Sequence, residues 1–261
     1  MQVVILCGGQ GTRIREVSEN VIPKPMVPVG DRPIVWHIMK LYASRGHMDF
    51  VLCLGPLGWK IKEYFLNRQA MESDLTVTLG RTAKVEYHSE HPEEGWSVTL
   101  ADTGSDTGTA GRIRKIGSKI NGDRFMLTYG DGVSDVDLGA LERFHVAHGK
   151  MLTLTGVIPP GRFGELSLDG DRVTAMQEKP VDSDRYINGG FMVMEKAFID
   201  KYLADIDDTT MLEQAPFAAA AEGGDMMMYR HNGFWQCMDT ARDWDLLNRL
   251  WKSGNVPWRS S

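Results

Sequence analysis

The sequence predicts an α/β fold: a Rossmann-like, mostly parallel mixed sheet flanked by helices. Three observations carry this. Short aliphatic runs alternate with amphipathic stretches of helical spacing, the rhythm of parallel strands covered by crossover helices. Glycine-bearing turns (Gly8-Gly9, Gly55 and Gly130-Asp131-Gly132) follow directly on apolar runs, at the strand ends where such sheets bind ligands. The chain has 261 residues, 42% of them hydrophobic and 25% charged, which is the length and composition of one large globular α/β domain.

The elements follow in order. Val3–Cys7 reads as a buried strand, Pro33–Ser44 as a helix with apolar residues in step, and Phe50–Leu54 as a second buried strand. Trp59–Asn67 reads as helix, and 75–79 and 84–88 as strands. Phe125–Tyr129 is a strand ending in Gly-Asp-Gly, Leu138–His148 a helix, and Met151–Ile158 a strand of threonines and aliphatics. Beyond it, strands at Gly164–Leu168 and Val173–Met176 flank the turn Asp169-Gly170-Asp171, and Gly190–Met194 is a further strand. Residues 210–222 read as helical, 226–230 as extended, and Thr240–Lys252 as a helix with Trp244, Leu247 and Trp251 on one face. No linker or repeat interrupts the chain, so residues 1–261 are expected to form a single domain. Its nucleotide-binding part covers roughly 1–135 and its acceptor-binding part roughly 136–240, with a C-terminal helix at 240–252.

Composition excludes several classes. A formal net charge of −6 argues against a general nucleic-acid binder, while leaving room for a local basic pocket. No apolar run approaches 18 residues, so no membrane span is expected. The chain starts on a strand-like stretch without a signal sequence, and its three cysteines are an odd number in apolar surroundings; a cytoplasmic, reduced protein is expected.

The stretch LCGGQGTRIREVSENVIPKPM, residues 6–26, carries the first chemistry. Gly8, Gly9 and Gly11 miss the spacing of a dinucleotide fingerprint, and Arg13 stands where a P-loop needs glycine. What remains is either a tight surface turn or a turn whose backbone N–H groups face a phosphate. Prolines on both sides of Lys24 stiffen its backbone and fix a cation. Two fixed cations beside a glycine turn suit a triphosphate attacked at its α-phosphorus.

Together, G-G-x-G-T-R and P-K-P-M resemble the signature of the sugar-1-phosphate nucleotidyltransferases. The stretches YGDGVSDVDL, PPGRFGEL, QEKP, INGGFMV and GFWQCMDTARDW are similar, in order and over nearly the whole chain, to the glucose-1-phosphate cytidylyltransferase branch. The resemblance implies the nucleotide-diphospho-sugar transferase type of fold. It implies an enzyme that joins CTP to a phosphorylated small-molecule acceptor, glucose 1-phosphate in that branch, releasing pyrophosphate with Mg2+ as cofactor. It also implies a homo-oligomer. The alternatives are a pyrimidine nucleotidyltransferase acting on another phosphorylated acceptor, and a module that keeps the fold without catalysis.

The resemblance also distributes roles. Leu6, Gly8, Gly9, Gly11 and Thr12 would cradle the nucleotide. Arg13 would hold the β- and γ-phosphates, for which a planar guanidinium is suited, and Lys24 would bridge phosphates. Asp131 and Asp239 would hold Mg2+, although Gly-Asp-Gly is also turn composition and Asp239 also stands where a helix N-cap would. Lys179 would bind the acceptor phosphate, while Glu178, Asn188, Gly189 and Gly190 would read its hydroxyls, unless Glu178-Lys179-Pro180 is merely an exposed loop. Arg112 is the expected cytosine selector, with Thr109 and Gly111 beside it at the start of a helix.

Other features stay open. His145 and His148, three apart on a helix, could pair on a metal or simply pack; Trp235 could stack on the acceptor or pack. The tryptophans near the C-terminus could pack on their own chain or on a partner. Asp31-Arg32-Pro33 and Gly55-Pro56-Leu57-Gly58 depart from the pattern of the relatives.

Overall fold

The computed structural model describes residues 1–9, 14–18, 21–88, 93, 95–159, 165–169, 171–177 and 186–259. Gly11, Thr12, Arg13, Glu178 and Lys179, all expected at the site, lie outside the described residues.

The chain runs through β1 (Val3–Cys7), a short helix α1 (Arg15–Ser18), the hairpin β2 (Pro28–Val29) and β3 (Arg32–Pro33), and α2 (Ile34–Ala43). Then come β4 (Asp49–Leu54), α3 (Gly58–Glu72), the hairpin β5 (Leu75–Thr78) and β6 (Lys84–Tyr87), β7 (Ser97–Asp102) and α4 (Thr109–Ile116). β8 (Arg124–Tyr129), β9 (Gly132–Ser134), α5 (Leu138–His148) and β10 (Leu152–Val157) follow. The last part holds β11 (Glu165–Asp169), β12 (Arg172–Gln177), β13 (Ile187–Glu195), α6 (Ala197–Tyr202), α7 (Ala215–Glu222), β14 (Met226–His231), β15 (Trp235–Cys237) and α8 (Ala241–Ser253).

Among the described residues the main sheet has seven strands in the order β14-β10-β13-β8-β1-β4-β7. β1 pairs in parallel with both β4 and β8, and β4 with β7; β13 runs antiparallel between β8 and β10. The sheet is therefore mixed and mostly parallel. Every side chain of β1 is buried, because helices cover both faces. Its alternation splits the core: Val3, Ile5 and Cys7 join one apolar cluster with α2 and α5, while Val4 and Leu6 join the other with α4, α6 and α7. Fully burying side chains of this size stabilises by about 1.5–3 kcal/mol each.

Several elements differ from the sequence reading, among them the unexpected short elements α1, β2, β3, β9, β15 and α6. β7 closes the sheet edge where no strand was expected. The helix expected from 210 begins only at Ala215, where Pro216 occupies the first turn, a position proline favours. Residues 208–212 are instead held against α4: Gly108 N–H donates to Asp208 O and Ala110 N–H to Thr210 O, while Leu212 N–H donates to Thr109 Oγ1.

The C-terminal tryptophans pack on their own chain. Trp244 Nε1 donates to Pro28 O at 2.7 Å, and Trp251 and Trp258 meet the His37 ring edge-on. Among the described residues no helix is long and apolar enough to cross a membrane.

Candidate active site

Four parallel strands end together, and the site lies just beyond their carboxyl ends. Chain segments converge there because glycine leaves room: a Cβ on Gly55 would lie 2.6 Å from Gly8 Cα, and one on Gly8 would lie 2.0 Å from the Arg112 side-chain Cζ. Arg112 is buried, and burial draws its pKa down. Its Nη1 donates to Leu54 O, Thr103 Oγ1 and Gly104 O, and its Nη2 to Gly8 O. A buried guanidinium requires such partners. Arg112 thus braces the glycine turn against the ends of β4 and β7. Beneath the turn lie Cys7 and Cys53, both free thiols; burial raises the pKa of each, that of Cys53 to about 12.

This turn lines a cavity of about 390 Å³ together with Leu6, Thr109, Arg112, Thr209 and Met211. Gly111 lies off that lining. A Cβ there would sit 2.1 Å from Asp208 O, so close packing of α4 under residues 208–210 accounts for the glycine. The start of α4 gives its Gly108 and Ala110 N–H groups to the loop carbonyls of Asp208 and Thr210.

A second cavity, of about 790 Å³, adjoins the first. Asn188, Gly189 and Gly190 of β13 line it, together with Trp235, Asp239 and the arginines Arg242 and Arg249 of α8. Tyr129 and Asp131 line both cavities. The indole N–H of Trp235 donates to Gly189 O at 2.7 Å, which makes it a fixed wall. Gly190 has φ +83°, and a Cβ there would meet the Tyr129 ring at 2.6 Å, so backbone conformation and close approach both demand glycine. Asn188 Oδ1 accepts from Gly190 N–H at 2.9 Å, fixing the amide's orientation.

Between the cavities, Lys24 Nζ lies 2.6 Å from Asp131 Oδ2 and also donates to Asp239 Oδ1. Burial works to lower the lysine pKa, but the two carboxylates outweigh it and hold the ammonium above its ordinary range. Asp239 does not cap α8. Thr240 is the N-cap, in a reciprocal capping box with Asp243, which leaves the Asp239 carboxylate directed to Lys24. Two carboxylates already meeting on one cation fit Mg2+, which takes a couple of carboxylates and completes its shell with water and phosphate oxygens. Among the described residues no group of three or more His, Cys, Asp and Glu could hold a metal without such help.

His145 and His148 form no metal pair. Both rings bond Thr153 Oγ1, at 2.8 and 2.7 Å, and His145 Nε2 reaches Glu195 at 3.0 Å. Burial lowers the pKa of each.

Tyr129, Thr209 and Met211 were missed as cavity residues, whereas Trp235, which the sequence left open between stacking on the acceptor and packing, lines the second cavity. The strand-end rule could have found Tyr129, the last residue of β8. Thr209 and Met211 belong to a loop without any motif.

Two adjoining cavities around a shared carboxylate, at the carboxyl ends of a mostly parallel sheet, define a two-substrate α/β enzyme. The chain belongs to the nucleotidyl transferase family, whose match spans residues 2–243. Glucose-1-phosphate cytidylyltransferases of Salmonella typhi and Salmonella typhimurium are each 46% identical to it over 262 aligned residues, covering 100% of this chain and 99% of the relative. Among solved structures, HddC from Yersinia pseudotuberculosis superposes with a TM-score of 0.67 at 21% identity, covering 96% of this chain and 99% of the other, and shares the fold.

Proposed function

We propose that this nucleotidyltransferase makes CDP-glucose and pyrophosphate from CTP and glucose 1-phosphate. The observation that carries this is the 46% identity, over the whole chain, to glucose-1-phosphate cytidylyltransferases. The geometry supports it. The smaller cavity above the braced glycine turn takes CTP, and the larger one takes the sugar phosphate, whose charge Arg242 and Arg249 complement.

An oxygen of the acceptor phosphate forms a bond to the α-phosphorus of CTP. The bond from that phosphorus to the bridging oxygen of pyrophosphate breaks, and pyrophosphate leaves with the electron pair. Such transfers depend on positioning and charge neutralisation. Asp131 and Asp239 would hold Mg2+, which when bound neutralises phosphate charge. Lys24, Arg13 and Lys179 supply the protein's cations: Lys24 and Arg13 toward the triphosphate, Lys179 toward the acceptor phosphate. Glu178, Asn188 and the backbone of Gly189 and Gly190 orient the sugar.

The test is pyrophosphate release over four nucleoside triphosphates and a panel of phosphorylated acceptors. CTP with glucose 1-phosphate should be fastest; no turnover with CTP under any acceptor overturns the reading. Self-association belongs to the same proposal. Val77, Val85 and Tyr87 share one face of the β5–β6 hairpin and all are exposed. Light scattering on the purified protein reads the oligomer directly.

A further inference from the structure

Glu213 belongs to no motif, yet its carboxylate joins the walls of both cavities. Oε2 accepts from Thr109 Oγ1 at 2.9 Å, and Oε1 accepts from the Tyr129 hydroxyl. A carboxylate only accepts, so both hydroxyls are committed as donors. The Thr109 hydroxyl in turn accepts from Leu212 N–H at 2.7 Å, and the Tyr129 hydroxyl accepts from Asn188 Nδ2 at 3.2 Å. The result is one chain of hydrogen bonds with every direction fixed. It starts at the 208–212 loop and Thr109, beside the nucleotide cavity, and ends at Asn188 and Gly190, in the acceptor cavity.

Neither end can shift alone. The loop is pinned to α4 through Gly108 and Ala110, and the Tyr129 ring abuts Gly190 with no room for a Cβ between them. A chain of bonds with fixed directions can carry coupling between two sites when both sites bias the same arrangement of it.

We propose that Glu213 is a positioning residue that couples the two substrates: a nucleotide seated against Thr109, Thr209 and Met211 fixes Tyr129 and Asn188 for the acceptor, and the acceptor in turn fixes the nucleotide wall. The inference rests on the assignment of the two cavities to nucleotide and acceptor, but not on the nucleotide being CTP. Binding coupling is reciprocal, so each substrate changes the affinity for the other by the same factor.

The experiment uses whichever nucleotide and acceptor pair the wild-type enzyme turns over best. The KM for each substrate is measured at low and at saturating concentration of the other. Wild type should show each KM falling severalfold when the other substrate saturates. Glu213→Ala should abolish that interdependence and lower kcat/KM about 10- to 100-fold. Glu213→Gln, which keeps one acceptor oxygen, should lie between the two. Tyr129→Phe removes the next link, so Tyr129→Phe with Glu213→Ala should be no worse than the worse single variant. Glu213 is exposed, and the melting temperature of Glu213→Ala should stay near that of wild type. Interdependence that survives in Glu213→Ala, or is absent from wild type, overturns the inference, as does a double variant whose loss is the product of the two single losses. An enzyme that prefers another nucleotide overturns the CTP reading and leaves this comparison intact.

Discussion

Lys24 Nζ lies 2.6 Å from Asp131 Oδ2 across 107 residues of chain, and it holds Asp239 with the same ammonium. The lysine side chain is 12% exposed, those of the aspartates 30% and 21%. In this arrangement the lysine is the counter-ion of two carboxylates that a metal would otherwise neutralise.

Lys24→Met therefore leaves two like charges facing each other. A hydrogen bond to a charged group is worth about 2 kcal/mol, and the metal-free variant should lose stability of that order. Millimolar Mg2+ should restore part of the loss, because a divalent cation can take the ammonium's place. The variant should also bind Mn2+ more tightly than wild type in calorimetry without nucleotide, while its turnover falls 100-fold or more. Weaker Mn2+ binding in the variant would count against competition between lysine and metal.

Arg112→Met tests the brace. It strips the guanidinium from Leu54 O, Gly104 O and Gly8 O in one step. A buried acceptor left unsatisfied costs about 1–3 kcal/mol. We expect a clear drop in melting temperature and a rise of tenfold or more in the nucleotide KM, with the acceptor KM less affected. Nucleotide KM values measured for CTP and UTP in parallel separate bracing from base choice. A rise confined to CTP is the signature of direct cytosine contact; a common rise is that of the loosened turn.

Local pattern made much of this fold legible. β1 and α5 fall where apolar runs and helical spacing put them, because burial on two faces or along one stripe is written into neighbouring residues. Lys24 and Asp131, which line the cavity, were legible as candidates because proline fencing and a strand end mark them locally. Long-range partners were not. Glu213 meets Thr109 and Tyr129 across 104 and 84 residues, and no local signal marks a carboxylate for two distant hydroxyls. The bracing of Gly8 by Arg112 was hidden in the same way: the arginine's partners lie on three separate segments.

Acid should weaken the fold through His37. The ring is buried among Trp36, Trp251 and Trp258. Its Nε2 is 2.9 Å from Val29 O, to which it donates, and its Nδ1 accepts from Trp258 Nε1 at 3.3 Å. The bonds describe a neutral imidazole, and burial lowers its pKa from 6.5 to about 4. The unfolded chain then binds a proton that the folded chain refuses, so the histidine's full contribution to stability is present above pH 6.5. It declines as the pH falls toward 4, by roughly 3 kcal/mol at the limit. Urea unfolding at pH 7.5, 6.0 and 5.0 should show this slope, and His37→Gln should flatten it. A variant with the wild-type slope would assign the acid sensitivity to other groups, His145 first among them.

Leu57 offers a change in the opposite direction. Among the described residues it is the one non-glycine residue with positive φ, at 57°, and it stands at the N-cap of α3 without a side-chain cap. The left-handed region costs an L-residue about 1–2 kcal/mol, and glycine adopts it freely. Leu57→Gly removes that strain, offset by the greater entropy of glycine in the unfolded chain and by the loss of a half-buried side chain. The net gain should be at most about 0.5–1 kcal/mol, which for a chain of this size raises the melting temperature by no more than roughly 1–4 °C. Scanning calorimetry decides it. A lower melting temperature for Leu57→Gly would mean that the packing of the leucine side chain outweighs its backbone strain, and the turn before α3 would then be held by that packing.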